Sequence, residues 1–353
     1  MALGDKFRNG PGAGIYYYAN EGEQFTVNFL TRHAQTLALL LLDVDGDGWQ
    51  DIVAGNDFDQ PDLIWRYDPS GWQATTPFTQ TTQNTMSFDT GDINNDGSLE
   101  LFAADMMPYA HDAATMAAWQ PVMDRMPHVM QAGDPQIMAN VLQMRQTDGR
   151  FANLATRNGV AATGWSWSAK FGDLDNDGFL DLYVVNGMAA LDLFDHLPNN
   201  ELVEENQVFQ NQAGQGFSPA PTWGLNATEG GRGMSMGDLD NDGDLDIVVN
   251  NLLRPAKLFE NQLCGGASLQ VDLAWPESKN SHALGAQLIL HTDKGNLTRD
   301  VRAVSGYLSG DPTRVHFGFP ADAVLTSLDI HWPDGATSTI DAPATGILQI
   351  TRQ

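Results

Sequence analysis

The chain of 353 residues has one cysteine, Cys264, and five lysines, Lys6, Lys170, Lys257, Lys279 and Lys294. A single cysteine excludes an internal disulfide and leaves the compartment open, because many exported bacterial proteins lack disulfides. The scarcity of lysine accompanies a formal charge of -27. Such a surface repels nucleic-acid phosphates and anionic membranes, so no nucleic-acid partner is expected and cations are the natural small partners. Long apolar runs are missing too. The longest, Leu37 to Leu42, is far short of the roughly 20 residues of a membrane span, so the chain has no transmembrane segment of its own. Met1 to Gly14 is polar and glycine-rich, unlike a secretory leader. Also absent are a Ser/His/Asp elbow, a phosphate loop and a Cys-His zinc pattern.

Four acidic segments are repeated. LLDVDGDGWQDIVAGND starts at Leu41, TGDINNDGSLELFAAD at Thr90, FGDLDNDGFLDLYVVNG at Phe171 and MGDLDNDGDLDIVVNN at Met236. Their first aspartates are 49, 81 and 65 residues apart, a period near 50 with insertions. Between them recurs an apolar-aromatic strand, a Gly-containing turn and a second strand. The copies begin at Ile15, Leu63, Val141 and Val208, and KLFENQ at Lys257 resembles the first half of a fifth. One unit therefore reads as strand, acidic loop, strand, strand, turn, strand, which is the pattern of a β-propeller blade. The expected fold is all-β: a propeller over residues 1–262 with about five blades, or part of a larger one, and a small β-sandwich-like domain over 267–353. Residues 106–137, rich in Met and divided by Pro121 and Pro127, read as an inserted pair of short helices.

Calcium takes 6–8 hard oxygen ligands, and a sharply turning loop supplies them from alternate residues. In the third copy Asp173, Asp175 and Asp177 hold positions 1, 3 and 5, Gly178 allows the turn, the carbonyl of Phe179 serves position 7 and Asp181 closes at position 9. The same roles fall to Asp43, Asp45, Asp47, Trp49 and Asp51, to Asp92, Asn94, Asp96, Ser98 and Glu100, and to Asp238, Asp240, Asp242, Asp244 and Asp246. An EF-hand closes with Glu at position 12 between helices; these loops close at position 9 and enter a β-branched strand. Three or four carboxylates crowded into one loop repel each other unless a cation joins them. About four Ca²⁺ are expected, bound weakly as in extracellular modules, which points to an extracellular or periplasmic protein whose leader is not present.

These loops with their strands resemble FG-GAP/VCBS repeats, the blades of the integrin α-subunit propeller. SHALGAQLIL at Ser281, VSGYLSG at Val304, RVHFGF at Arg314 and HWPDG at His331 resemble the ASPIC and UnbV domain, which follows such repeats in the cartilage acidic protein family. The resemblance implies a secreted, calcium-stabilised scaffold or adhesion-type protein with a protein or glycan partner and no established catalysis. One alternative is a propeller enzyme of the polysaccharide lyase or dehydratase kind. Another is a subunit of a larger extracytoplasmic assembly, because Ile15 to Val27 looks like half a blade. Either a compact five-blade ring closes by joining the two ends, or the chain is a piece completed by something else. Three smaller candidates remain. Met123, Met126, His128 and Met130 beside His111 suit copper, or packing of the insertion. Trp165 and Trp167, alternate residues of one strand, suit a sugar platform or blade packing. His282, His316 and His331 read as structural.

Overall fold

The structure, a computed structural model, describes residues 14–58, 60–126, 133–263 and 265–352. Pro127, His128, Met130 and Cys264 lie outside them. The described residues open with a hairpin, β1 (Ile15–Asn20) and β2 (Phe25–Thr31), a two-stranded sheet. Blade one follows as β3 (Thr36–Leu42), β4 (Asp51–Asn56), β5 (Leu63–Asp68) and β6 (Gly71–Thr75), paired in that order. A two-residue strand, β7 (Thr81–Thr82), precedes blade two, which begins with β8 (Ser87–Gly91) and β9 (Glu100–Ala104). The insertion then carries β10 (Met106–Met107), helix α1 (Ala113–Met123) and β11 (Gln136–Ile137), the last parallel to β7. β12 (Val141–Arg145) and β13 (Phe151–Asn153) complete blade two.

Blade three contains β14 (Gly164–Gly172) and β15 (Asp181–Asn186). A small pair, β16 (Met188–Ala189) and β17 (Glu201–Leu202), separates them from β18 (Gln207–Asn211) and β19 (Phe217–Pro219). Among the described residues blade four has three strands, β20 (Gly231–Gly237), β21 (Asp246–Asn251) and β22 (Lys257–Phe259). The remaining strands are β23 (Ala267–Ala274), β24 (Gln287–Thr292), β25 (Gly295–Asp300), β26 (Val315–Phe319), β27 (Leu325–His331), β28 (Thr337–Asp341) and β29 (Gly346–Thr351). They form two sheets, β26-β23-β29 and β25-β24-β27-β28, over one core that includes Leu269, Leu288, Phe317 and Leu328. The protein is thus nearly all β, a propeller-like set of blades followed by a two-sheet C-terminal unit.

The first strands of the blades lie side by side, β3 on β8, β8 on β14 and β14 on β20. Strand alternation explains the layers between them: Ala38, Leu40 and Leu42 of β3 face blade two and are buried, while Leu37, Leu39 and Leu41 face the other way and are exposed. The opening hairpin packs Ile15, Tyr17 and Leu30 on blade one at Ile52, Ala54 and Trp65. Among the described residues no strand pair joins this hairpin to blade four. Part of the inner-strand surface is covered by the C-terminal unit. Arg302 donates to Asp89 Oδ1 at 2.7 Å, the Gly306 amide to the Phe88 carbonyl at 3.0 Å, and buried Lys170 to Asp311 at 2.7 Å.

The insertion departs from expectation. Pro121 lies inside α1, which runs on to Met123. A proline this near the C-terminal end removes one backbone hydrogen bond, and the buried side chains Trp119 and Val122 hold the turn against Trp165 and Phe194. The Asp112 side chain caps the helix by accepting from the amides of Ala114 and Thr115. One α-helix of the expected pair is present among the described residues, and the stretch from Pro127 to Ala132 lies outside them. Met123 and Met126 pack against this same aromatic cluster.

Candidate metal centres

Each acidic loop is a tight turn that the sequence dictates locally. Position 6 is a glycine with φ between 87° and 101°, at Gly48, Gly97, Gly178 and Gly243. Position 4 is also left-handed: Gly46 at 81°, Asn95 at 56°, Asn176 at 55° and Asn241 at 65°. Asn is the non-glycine residue that best tolerates this region. That requirement was missed in reading the sequence, although Gly, Asn, Asn, Asn at the same place in four copies was its signal.

The position-1 carboxylate staples the turn. Asp43 accepts from the amides of Gly46 and Gly48, Asp173 from Asp177 and Gly178, and Asp238 from Asn241 and Gly243. The position-9 acid ties the loop to the sheet. Asp51, Glu100, Asp181 and Asp246 accept from the position-2 amides of Val44, Ile93, Leu174 and Leu239, at 2.9–3.1 Å. Asp51, Asp181 and Asp246 accept a second amide, from Tyr67, Asn211 and Asn261 on or next to the third strand of each blade.

Three loops bring positions 1, 3 and 9 together: Asp43, Asp45 and Asp51; Asp173, Asp175 and Asp181; Asp238, Asp240 and Asp246. In each set one carboxylate oxygen per residue lies within 4.8 Å of the others. Position 5 stands apart from these sets. Its carboxylate accepts the position-7 amide, Asp47 from Trp49, Asp96 from Ser98, Asp177 from Phe179 and Asp242 from Asp244. In the second loop Asn94 donates to Asp96 at 3.0 Å, so the amide occupies the carboxylate that a cation would need.

Burial ranks the loops. The third is the most enclosed, with Asp173 and Asp181 buried, while Asp45, Asp47, Asp240 and Asp242 are exposed. Burial pushes Asp173 up to about 7 and Asp181 well above the usual carboxylate range, and the neighbouring aspartates add to both shifts. Burial likewise pushes Glu100 up to about 8. Asp175 Oδ1 is buried with no hydrogen-bond partner while Oδ2 accepts from Gln210 at 2.7 Å. An orphaned carboxylate oxygen beside two buried carboxylates fits a divalent cation with hard oxygen ligands.

The C-terminal unit touches the loops. Gln270 Nε2 donates to Asp238 Oδ2, and His316 Nε2 to the Gly243 carbonyl at 3.1 Å. Burial lowers His316 to about 4, so it is neutral there. The tryptophan pair does not form a platform. Trp165 is buried among Trp119 and Phe194, and Trp167 lies between Arg232, 4.3 Å from its ring, and Tyr307. A register shift between Ser166 and Ser168 interrupts the β14–β15 pairing there. Core packing takes both rings.

Strands that carry an acidic loop between the first two of each blade define a propeller-type repeat protein. Residues 43–103, 133–184 and 192–249 match the FG-GAP-like repeat, and residues 276–353 match ASPIC and UnbV. The chain is an FG-GAP-like repeat protein with a C-terminal ASPIC and UnbV domain. It is similar to Cartilage acidic protein 1 of Xenopus tropicalis, 32% identical over 114 residues, which is 31% of this chain and 17% of that protein. The chain therefore spans a minor part of that relative. Among solved structures, the V. cholerae biofilm matrix protein Bap1 matches 94% of this chain and 53% of its own at 13% identity and a TM-score of 0.37. A protein from Lactobacillus plantarum matches 95% and 94% at 10% identity and 0.35. The domain combination points to an adhesion or scaffold-type protein. No helix among the described residues is long and apolar enough to cross a membrane.

Proposed function

We propose that this is an exported, calcium-stabilised scaffold or adhesion-type protein, non-enzymatic, whose surface recruits a protein or glycan partner. The observation that carries the reading is the convergence of positions 1, 3 and 9 in three loops, one of them buried with an orphaned oxygen. Calcium at these loops offsets the mutual repulsion of the acids and locks the first two strands of each blade. Positions 5 and 7, from Asp47 and Trp49 to Asp242 and Asp244, complete the shell once the position-5 carboxylate releases its amide. The second loop, with Asn94 in place of an acid, is the weakest of the four. Loops this open suit the millimolar calcium outside cells.

Thermal melting in calcium, magnesium and EDTA tests this, together with calorimetric titration. Calcium raises the melting temperature and magnesium does so less. An unchanged melting temperature in EDTA with no calcium uptake would remove the basis of the proposal.

A second reading, a subunit of a larger assembly, has its own support. The outer face of the opening hairpin exposes Tyr16, Tyr18, Val27 and Phe29, near one end of the row of blades. Native mass measurement separates the two, because a clean monomer at working concentration counts against assembly with copies of itself.

A further inference from the structure

Among the described residues blade four lacks the strand that closes blades two and three, and a cavity lies in its place. In blade three that strand is β19, and its Phe217, opposite Asn211, fills the interface with blade two. In blade two the same role falls to Phe151, opposite Arg145. Blade four repeats everything around this aromatic except the aromatic itself. Asn261 donates to the carbonyls of Leu174 and Leu245 as Asn211 donates to those of Ile93 and Leu180. Phe259 faces Ile247 across the sheet as Phe209 faces Leu182.

The wall of the Phe217 site includes Ile93, Val160, Leu180, Leu182 and Phe209. Their counterparts Leu174, Leu225, Leu245, Ile247 and Phe259 line a cavity of about 210 Å³ between blades three and four. After Asn261 the chain does not turn back to fill it. It runs on to β23, and β22 pairs only with β21 among the described residues.

We propose that this cavity and the free edge of β22 form a docking slot for an extended strand of a partner protein, antiparallel to β22, with a phenylalanine in the cavity. An added strand gains backbone hydrogen bonds from an open sheet edge, and a pocket for one side chain sets its specificity. The register follows from the filled copies. The phenylalanine stands opposite Asn261, and its amide reaches the carbonyl of Trp223, as the Phe217 amide reaches that of Asn158. Glu260 at the rim and the charge of -27 favour Lys or Arg beside the phenylalanine. This deepens the scaffold reading by naming the chemistry of the partner. It does not depend on calcium, so its failure would leave the calcium melting shift untouched.

The probe is a fluorescein-labelled peptide with the sequence of residues 212–220, the strand that fills the equivalent site in blade three, extended by a lysine at each end. Anisotropy titration against the full chain in calcium is expected to show saturable binding. The same peptide with alanine for phenylalanine binds at least about tenfold more weakly, the worth of about 1.4 kcal/mol. Leu225→Trp, which fills the cavity, weakens the phenylalanine peptide equally while calcium uptake persists. The peptide pair keeps the test valid even if that variant folds poorly. Equal binding of the two peptides, or no binding up to about 1 mM, would overturn the proposal. A dimer of the chain that the peptide dissolves would overturn the assignment to a partner protein in favour of a second copy.

Discussion

Replacing Asp175 by Asn should have opposite effects with and without calcium. The carboxylate sits in the third loop within 4.8 Å of Asp173 and Asp181, and its Oδ1 has no hydrogen-bond partner. At an effective dielectric of about 20, two unit charges at that separation repel by about 3 kcal/mol. Asp175 is only partly buried, and the raised Asp173 and Asp181 are partly protonated without a cation, so the relief falls to about 1 kcal/mol. Asn keeps the acceptor for Gln210, which donates at 2.7 Å. In EDTA the variant should therefore melt a few degrees higher, since about 1 kcal/mol corresponds to roughly 2 °C or more in a chain of this class. In calcium it should melt lower than the parent, because one charged ligand of the cage is gone. Parallel melting curves over a calcium titration, with calorimetry for stoichiometry, read both effects. A variant equally destabilised in both conditions would show Asp175 to be an ordinary structural residue and refute the reasoning.

Phe217→Ala, which empties a filled interblade site, should cost about 3–5 kcal/mol in denaturant unfolding. Its loss should exceed that of any single substitution at the vacant blade-four slot. Asp311→Ala leaves Lys170 buried without its partner at 2.7 Å. A loss on the order of 3 kcal/mol is expected, with faster proteolysis between β22 and β23. Glu204 is pushed up to about 7 by burial, although it accepts from the Trp165 amide and the Trp119 indole. Folding therefore favours its protonated form. That stabilisation is complete below 4.5, the ordinary value, and is lost as the pH rises through about 7. Glu204→Gln in saturating calcium should flatten the fall in melting temperature across that window, and, since its amide keeps one acceptor oxygen for the two donors, gain only on the order of 1 kcal/mol at pH 8; a variant that keeps the parent's pH profile would contradict it.

The parts of this protein that the sequence displays are those whose cause is local. A loop needs Asp at alternate places and Gly where φ is positive, and these requirements fall within nine consecutive residues. The hairpins are equally legible: the copies found at Ile15, Leu63, Val141 and Val208 are the pairs β1–β2, β5–β6, β12–β13 and β18–β19. What stayed hidden depends on residues far apart in the chain. Nothing around Asp89 announces Arg302, and nothing around Lys170 announces Asp311, yet these pairs dock the C-terminal unit on the inner strands. Strand alternation puts Trp165 and Trp167 on one face, and an irregular register with tertiary packing overrides it. Pro121 alone predicts a helix break, but buried Trp119 and Val122 outweigh one lost backbone bond.

The vacant site in blade four lies between these cases. Its sequence sign was present in KLFENQ, which ends where the other copies continue through a glycine turn to an aromatic. Only the packing showed that the hole left behind keeps the wall of a phenylalanine site. The same comparison separates the two faces of the fold. Inner strands are partly covered by the chain's own Arg302, Gly306 and Asp311, whereas the outer edge of the last blade has no paired strand among the described residues. A partner strand is better placed at that edge than on the covered inner strands.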